Sequence, residues 1–321
     1  MAVNATTYAA SGRIDTGTTR SGSISFAGEY DTYTTTLIEG LTYSAAAKGA
    51  SSGNGTLYDP NIALYDRNGT RLLDNDDVTP GSNRDGVITF RIGAGGTDLY
   101  TLGVGETGNN ATGSYRLTLS AGYATGANDS VTGTGYNDAI NGMNGNDRIW
   151  GMGGHDNLLG AAGNDWLMGG GGADVLQGGV GADVLRGQGG NDVLYGAHGA
   201  DDLYGGTGAD RFVFYSHTDS NAANGIDVIA AADGAIAFEG VGVTGGDRID
   251  LSGIDANLGV AGNQAFVFST SHAAGTLSLL ESGGQTILQG HVNNDGVADF
   301  TLAIADGATT PYAYSADEFI L

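Results

Sequence analysis

The chain has 321 residues with 59 Gly, only 3 Pro and no Cys, and 12 basic against 36 acidic side chains give it a formal charge of −24. This balance excludes general binding to a phosphate backbone or to anionic lipid by charge, since both rest on an excess of Lys and Arg. Lack of Cys excludes a disulfide framework and a thiolate zinc site, and no run approaches the roughly 20 apolar residues that a membrane-spanning helix needs.

The length points to two or three domains, and the elements fall in this order. Residues 1–20 (MAVNATTYAASGRIDTGTTR) carry neither a basic start nor an apolar stretch of about 7–15 residues, so they read as an N-terminal arm and not as a secretory signal peptide. Over residues 21–122 short alternating runs recur: Tyr33–Leu37, Asn61–Tyr65, Val87–Ile92, Leu99–Val104 and Tyr115–Leu119. Turn signals such as Arg67-Asn68-Gly69, Asp85-Gly86 and Gly108-Asn109-Asn110 separate them. That spacing predicts antiparallel strands in a β-sandwich or jelly roll. The phrases Glu29-Tyr30-Asp31-Thr32-Tyr33, Asp59-Pro60-Asn61-Ile62-Ala63-Leu64-Tyr65-Asp66, Leu73-Asp74-Asn75-Asp76-Asp77 and Gly113-Ser114-Tyr115-Arg116-Leu117 resemble the pre-peptidase C-terminal domain of secreted bacterial proteases. The resemblance implies a non-catalytic β-domain that contacts substrate or matrix. Asp59, Asp74, Asp76 and Asp77 form a second-rank candidate for Ca²⁺ held by oxygen ligands, against the alternative of a solvated acidic loop.

Residues 123–213 carry the most specific signal. Asp recurs ten times at a spacing of nine without a slip: Asp129, Asp138, Asp147, Asp156, Asp165, Asp174, Asp183, Asp192, Asp201 and Asp210. Two positions after each stands an apolar residue, from Val131 to Phe212. Gly holds the place two before from Gly145 to Gly208, and the place five before from Gly133 to Gly205. A turn of about six residues followed by a strand of about three accounts for every column, with Gly supplying positive φ and the apolar residue pointing inward. Two nonapeptides then make one coil of a parallel β-roll, and turns of repeats n and n+2 stack about 4.8 Å apart. Carboxylates about 5 Å apart repel by roughly 3 kcal/mol at an effective dielectric near 20, so the stack calls for cations between its turns. Ca²⁺ suits such gaps because it accepts six or more oxygens in flexible geometry.

Units such as Gly169-Gly170-Gly171-Gly172-Ala173-Asp174-Val175-Leu176-Gln177 resemble the RTX calcium-binding repeat. The resemblance implies up to eight Ca²⁺ ions, each held by two Asp carboxylates and by carbonyls near positions one and three of one turn and two and four of the other. The implied ligands are Asp138, Asp147, Asp156, Asp165, Asp174, Asp183, Asp192, Asp201 and Asp210, with the carbonyls of Gly151, Gly153, Gly160, Ala162, Gly169, Gly171, Gly178, Val180, Gly187 and Gly189. The first two units depart from the pattern, with Ala127 and Tyr136 in the Gly place, which weakens sites at Asp129 and Asp138. Trp150, Trp166, Met168 and Tyr204 fall at outward positions of one sheet, as a docking surface or as packing against a neighbouring domain.

Residues 214–321 read as a β cap. Arg211-Phe212-Val213-Phe214, Asp227-Val228-Ile229, Gly246-Asp247-Arg248-Ile249-Asp250-Leu251-Ser252 and Asn293-Asn294-Asp295-Gly296-Val297-Ala298-Asp299-Phe300 resemble the C-terminal domain of serralysin-type metalloproteases, which extends the roll. Asp247 and Asp250 are second-rank metal candidates. Asp317-Glu318-Phe319-Ile320-Leu321 looks like the uncleaved signal read by type I secretion machinery, which implies export and folding on Ca²⁺ outside the cell. Among His155, His198, His217, His272 and His291 there is no H-E-x-x-H, and neither a G-x-S-x-G elbow nor a phosphate loop is present, so no catalysis is expected. His155 and His198 fall in the repeat turns, where solvated side chains are expected. The whole chain therefore reads as an all-β, secreted, calcium-binding protein with a structural or adhesive role, in a surface layer, matrix or filament. Its expected partners are the secretion machinery, further copies of itself or an extracellular polymer. The alternative is an accessory polymer- or glycan-binding module of a secreted hydrolase system.

Overall fold

The computed structural model describes residues 8–25, 29–49, 57, 60–75, 86–92, 97–106, 112–232, 237–238, 246–306, 314 and 316–321. Among the described residues there is no α-helix, only a 3-10 turn at Ala316–Glu318, and the chain is all-β. It divides into two units, Met1–Ala124 and Thr125–Leu321.

The first unit is built from two sheets. One has the order Tyr8–Arg13, Tyr30–Leu37, Asp98–Glu106, Pro60–Tyr65, Arg71–Asn75, antiparallel except for its first, parallel pair. The other places Thr19–Ile24, Gly113–Leu119, Thr42–Lys48 and Gly86–Arg91 side by side, all antiparallel. Strand Tyr30–Leu37 buries every second residue, the period expected of a sheet with one covered face. Ile62, Leu102, Val104, Tyr115, Leu117 and Leu119 complete an apolar core. One buried polar cluster in it is satisfied internally: Tyr115 Oη donates to Asp31 Oδ2 at 2.6 Å and lies 2.8 Å from Tyr33 Oη. Tyr8–Arg13 and the start of Thr19–Ile24 lie in the stretch that reads from sequence as an arm. Their Gly, Ser, Thr and Ala residues give little apolar alternation to read.

The second unit is the roll. One parallel sheet stacks Ser130–Thr132, Arg148–Gly153, Trp166–Gly171, Val184–Gly189, Asp202–Thr207 and Asp227–Ala230. The other stacks Ala139–Asn141, Asn157–Ala162, Val175–Val180, Val193–His198, Arg211–Val213, Arg248–Asp250 and Phe319–Ile320. Both therefore run past the last nonapeptide. Phe300–Ala305 joins the first sheet in parallel and turns it over to the antiparallel strands Gln285–His291 and Thr276–Ser282.

Every apolar residue of the repeat column, from Val131 to Phe212, is 0–5 % exposed. Burial of about ten such side chains at about 1.5–3 kcal/mol each is the main apolar contribution of the roll. The strands are longer than the three residues expected. Pairing runs Arg148↔Trp166 to Trp150↔Met168, skips one residue, and resumes at Met152↔Gly170. The stacked turns repeat one geometry and so bond to each other as well, for example Gly154 N–H to the Gly171 carbonyl at 2.9 Å.

Candidate metal centre

Each turn spans six residues and ends in the aspartate, as in Gly151-Met152-Gly153-Gly154-His155-Asp156. The position-four glycines, Gly145 to Gly208, have φ between 116° and 144°. A side chain at Gly172 or Gly190 would meet the carbonyl oxygen of the turn below at 1.6 Å. Position two is left-handed as well, but at φ of 71–80° it accepts Met143, Met152, Ala161, Gln188 and Ala197. Position one has a different reason for glycine. Its φ is ordinary, but a Cβ at any of the eight glycines Gly142 to Gly205 would stand 2.3–2.4 Å from Oδ2 of the aspartate five residues on. The glycine leaves an open cradle beside the carboxylate.

The aspartates form two ladders. In all ten links, from Asp129 with Asp147 to Asp210 with Asp247, one Asp N–H donates to Oδ1 of the next at 2.7–2.9 Å. Asp138 to Asp210 are 1–3 % exposed. Oδ2 of Asp147, Asp156, Asp165, Asp174, Asp183, Asp192, Asp201 and Asp227 is buried and accepts no hydrogen bond. Burying a carboxylate oxygen without a donor or cation costs several kcal/mol, so a row of them is a standing demand for positive charge. Burial pushes Asp156, Asp183 and Asp192 up to about 7 and Asp147 and Asp201 to about 6, with neighbouring aspartates adding to the push. Mutual repulsion, the reason expected from the sequence for cations in the stack, is thus second to desolvation.

The first two links differ. Asp129 Oδ2 accepts from Thr125 N–H and Oγ1, and Asp138 Oδ2 accepts from Thr134 N–H at 2.7 Å and Oγ1 at 2.9 Å. The protein itself supplies donors to these oxygens, so the orphaned Oδ2 of the later links has no counterpart at Asp129 and Asp138. Of the carbonyls expected as ligands, those of Ala162, Gly171, Val180 and Gly189 each accept one N–H from the turn below, which leaves the second lone pair of each. Asp74 pairs with Arg71 at the surface at 3.3 Å, while Asp59, Asp76 and Asp77 lie outside the described residues.

Asp247 continues a ladder, whereas Asp250 lies outside it with both carboxylate oxygens bonded within the protein. Its Oδ1 accepts from Ser252 N–H and Oγ, and its Oδ2 from Arg211 Nε at 2.8 Å and from Nη2. Burial pushes its carboxyl up, but Ser252 and the Arg211 guanidinium together hold it below the ordinary range. Asp227 escapes a search for nine-residue spacing because it follows Asp201 by 26 residues. Its local signal, Gly225-Ile226-Asp227-Val228-Ile229, keeps the G-x-D-x-apolar core of the repeat.

A second ladder runs outside the first. Asn128, Asn146 and Asn164 each accept an N–H from the turn above at 2.8–2.9 Å. On the other edge Asn137 accepts His155 N–H at 2.8 Å, and His155 takes the next Asn place there, with Nδ1 accepting from Ala173 N–H at 2.8 Å, so its ring is bonded to the next turn and not simply solvated. On the outer face of the first sheet Trp150, Met168, Arg186 and Tyr204 follow in register. The Arg186 guanidinium lies 4.7 Å from the Tyr204 ring centre and 5.8 Å from that of Trp166, a link that the aromatic pattern alone did not include.

Among the described residues no three His, Asp or Glu side chains converge on a point. An ion here needs backbone carbonyls beside the paired carboxylates, an all-oxygen donor set that suits Ca²⁺. The family of RTX calcium-binding nonapeptide repeats matches in four copies, at residues 123–158, 150–185, 159–193 and 177–212. The roll is a stack of RTX calcium-binding repeats. Solved structures similar to this chain include the AlgE6R2 subunit of the mannuronan C5-epimerase of Azotobacter vinelandii, 29% identical over 50% of this chain and 88% of that one, with a TM-score of 0.35. The AlgE6R3 subunit of that enzyme is 23% identical over 61% and 80%, with a TM-score of 0.27. The pre-peptidase C-terminal domain of a Bacillus anthracis collagenase is 18% identical over 35% and 96%, with a TM-score of 0.25. No curated protein matches the chain.

Proposed function

We propose that this protein is exported unfolded, folds its roll on Ca²⁺ outside the cell, and serves there without catalysis as a structural or adhesive component of a surface layer, matrix or filament. The observation that carries the reading is the row of buried aspartate oxygens that accept no hydrogen bond. Where free Ca²⁺ is scarce these oxygens oppose folding. Where it is abundant, an ion bound only by the folded form stabilises it by mass action. Asp147, Asp156, Asp165, Asp174, Asp183, Asp192, Asp201 and Asp210 would supply the carboxylates, and the glycine-lined turns the carbonyls. The ion supplies charge neutralisation and crosslinks adjacent coils.

The strand Phe319–Ile320 pairs with Arg248–Asp250, and Glu318 is 3 % exposed. Recognition of Glu318–Leu321 by type I secretion machinery therefore belongs to the unfolded chain, before this strand docks. Electron microscopy of the purified chain with and without Ca²⁺, beside an export assay of the full chain and of one lacking Glu318–Leu321, tests the reading. The expected results are calcium-dependent assemblies and loss of export on truncation. Dispersed particles in millimolar Ca²⁺ would refute the structural role, and undiminished export of the truncated chain would refute the proposed signal.

A further inference from the structure

The outer face of the first sheet of the roll carries side chains that the aspartate ladders do not use. Two outward rows run along it, one residue per coil. Arg148, Trp166 and Val184 follow in one register, with Trp150, Met168, Arg186 and Tyr204 in the row beside them. Trp166 is 40 % exposed, and the Arg186 guanidinium bridges its ring and that of Tyr204. Asn128, Asn146, Asn164, Arg148 and Trp166 line a groove of about 480 Å³ where the stacked turns meet the first row. Asp147 and Asp165 border it too, but both are 1–2 % exposed, and their Oδ1 atoms belong to the ladder.

The groove is lined with donors that the protein leaves unused. Oδ1 of Asn128, Asn146 and Asn164 each accepts an N–H from the turn above, so both N–H donors of every side-chain amide are left for a ligand. Arg13, Arg67, Arg71 and Arg211 pair with carboxylates, whereas the exposed Arg148 guanidinium has no protein partner among the described residues. An unpaired guanidinium fits a carboxylate, which it takes with two parallel hydrogen bonds. The Trp166 ring has an electron-rich π face, suited to the C–H bonds of a pyranose ring. The coils repeat every ~4.8 Å, close to the advance of one pyranose unit in an extended chain. Successive Asn amides therefore meet successive sugar units. An isologous contact with a second copy would instead set this row of donors against itself.

We propose that this groove binds an extended polysaccharide of carboxylate-bearing pyranose units, one unit per coil. Trp166 is the platform, Arg148 takes a carboxylate and the Asn amides take hydroxyls. The inference rests on the reading of the roll as a calcium-folded, adhesive element, and it names the partner: Ca²⁺ in the turns builds this face and neutralises the aspartates that border it.

Isothermal titration calorimetry of the full chain in millimolar Ca²⁺ compares a β-1,4-linked glucuronate hexamer with cellohexaose, its neutral counterpart. The glucuronate hexamer is expected to bind more tightly. Trp166→Ala is expected to weaken it at least tenfold, as loss of an aromatic anchor does. Arg148→Gln removes one exposed ion pair and is expected to weaken it about two- to fivefold while leaving cellohexaose unchanged. Should Trp166→Ala not fold, Arg148→Gln, at an exposed position, carries the test. Equal affinity for the two hexamers, or undiminished binding in both variants, overturns the proposal. Calcium-dependent assemblies that bind neither hexamer and disperse in Trp166→Ala assign the face to a second copy and overturn it as well. Circular dichroism of the same samples separates the two readings. A calcium-folded roll that binds no hexamer overturns this proposal alone, whereas a roll equally β-rich in EGTA overturns the calcium reading and this proposal with it.

Discussion

Gly187 and Gly189 stand two residues apart in one turn, and the same substitution has opposite consequences at the two places. A Cβ at Gly187 meets Asp192 Oδ2 at 2.3 Å, inside the cradle, while one at Gly189 finds its nearest neighbours at 3.7 Å. Ala162 and Val180 already occupy the place of Gly189 in other repeats. Gly187→Ala is expected to raise the Ca²⁺ concentration for half-folding at least tenfold, about 1.4 kcal/mol or more, and Gly189→Ala to leave it within about twofold. A calcium titration followed by circular dichroism checks both. The aspartates also set a pH dependence with a definite sign. The folded-state values of Asp147, Asp156, Asp183, Asp192 and Asp201, about 6–7, lie above the ordinary 3.8, so protons favour the folded roll when Ca²⁺ is removed. That stability is fully present below about pH 4 and is lost as pH rises through 6–7. In EGTA the β-signal is expected to fall over this window and to return on adding Ca²⁺ at neutral pH; a β-signal that rises with pH in EGTA would count against it. The Asp, Gly and apolar columns are legible in the sequence because one geometry is copied ten times. The Arg211 partner of Asp250 and the Arg186 link between Trp166 and Tyr204 are not, since both join residues that meet only across stacked coils.

At the scale of elements, the strands with strong alternation are legible and the weak ones are not. Tyr30–Leu37, Pro60–Tyr65, Asp98–Glu106 and Gly113–Leu119 contain the runs read from sequence and Gly86–Arg91 covers all but the last residue of Val87–Ile92, whereas Tyr8–Arg13 and Thr42–Lys48 are small-residue strands recognised by their partners alone. The roll exceeds its repeats because Asp227–Ala230 and Arg248–Asp250 keep the strand geometry after long insertions have removed the spacing. The last strand is part of the same packing. Phe319 is 7 % exposed, and its ring meets that of Phe268 edge-on at 5.0 Å. Phe319→Ala is expected to cost about 3 kcal/mol and to lower the melting temperature of the calcium-loaded protein by about 6–12 °C in differential scanning fluorimetry. An unchanged melting temperature would show that the cap does not depend on this strand.

At the scale of the whole molecule, the two units differ in what holds them together. The first unit closes an apolar core around the Asp31, Tyr33 and Tyr115 cluster, whose polar groups satisfy one another. The second buries a thin apolar column between two rows of desolvated carboxylates, in a chain of net charge −24. Removing Ca²⁺ should therefore unfold the roll and leave the first unit intact. Hydrogen exchange on the full chain, in millimolar Ca²⁺ and in EGTA at neutral pH, reads this directly. The amides of residues 142–210 are expected to be protected only with Ca²⁺, while those of residues 30–37 and 98–106 are protected in both. Equal protection of residues 142–210 in EGTA would contradict the account.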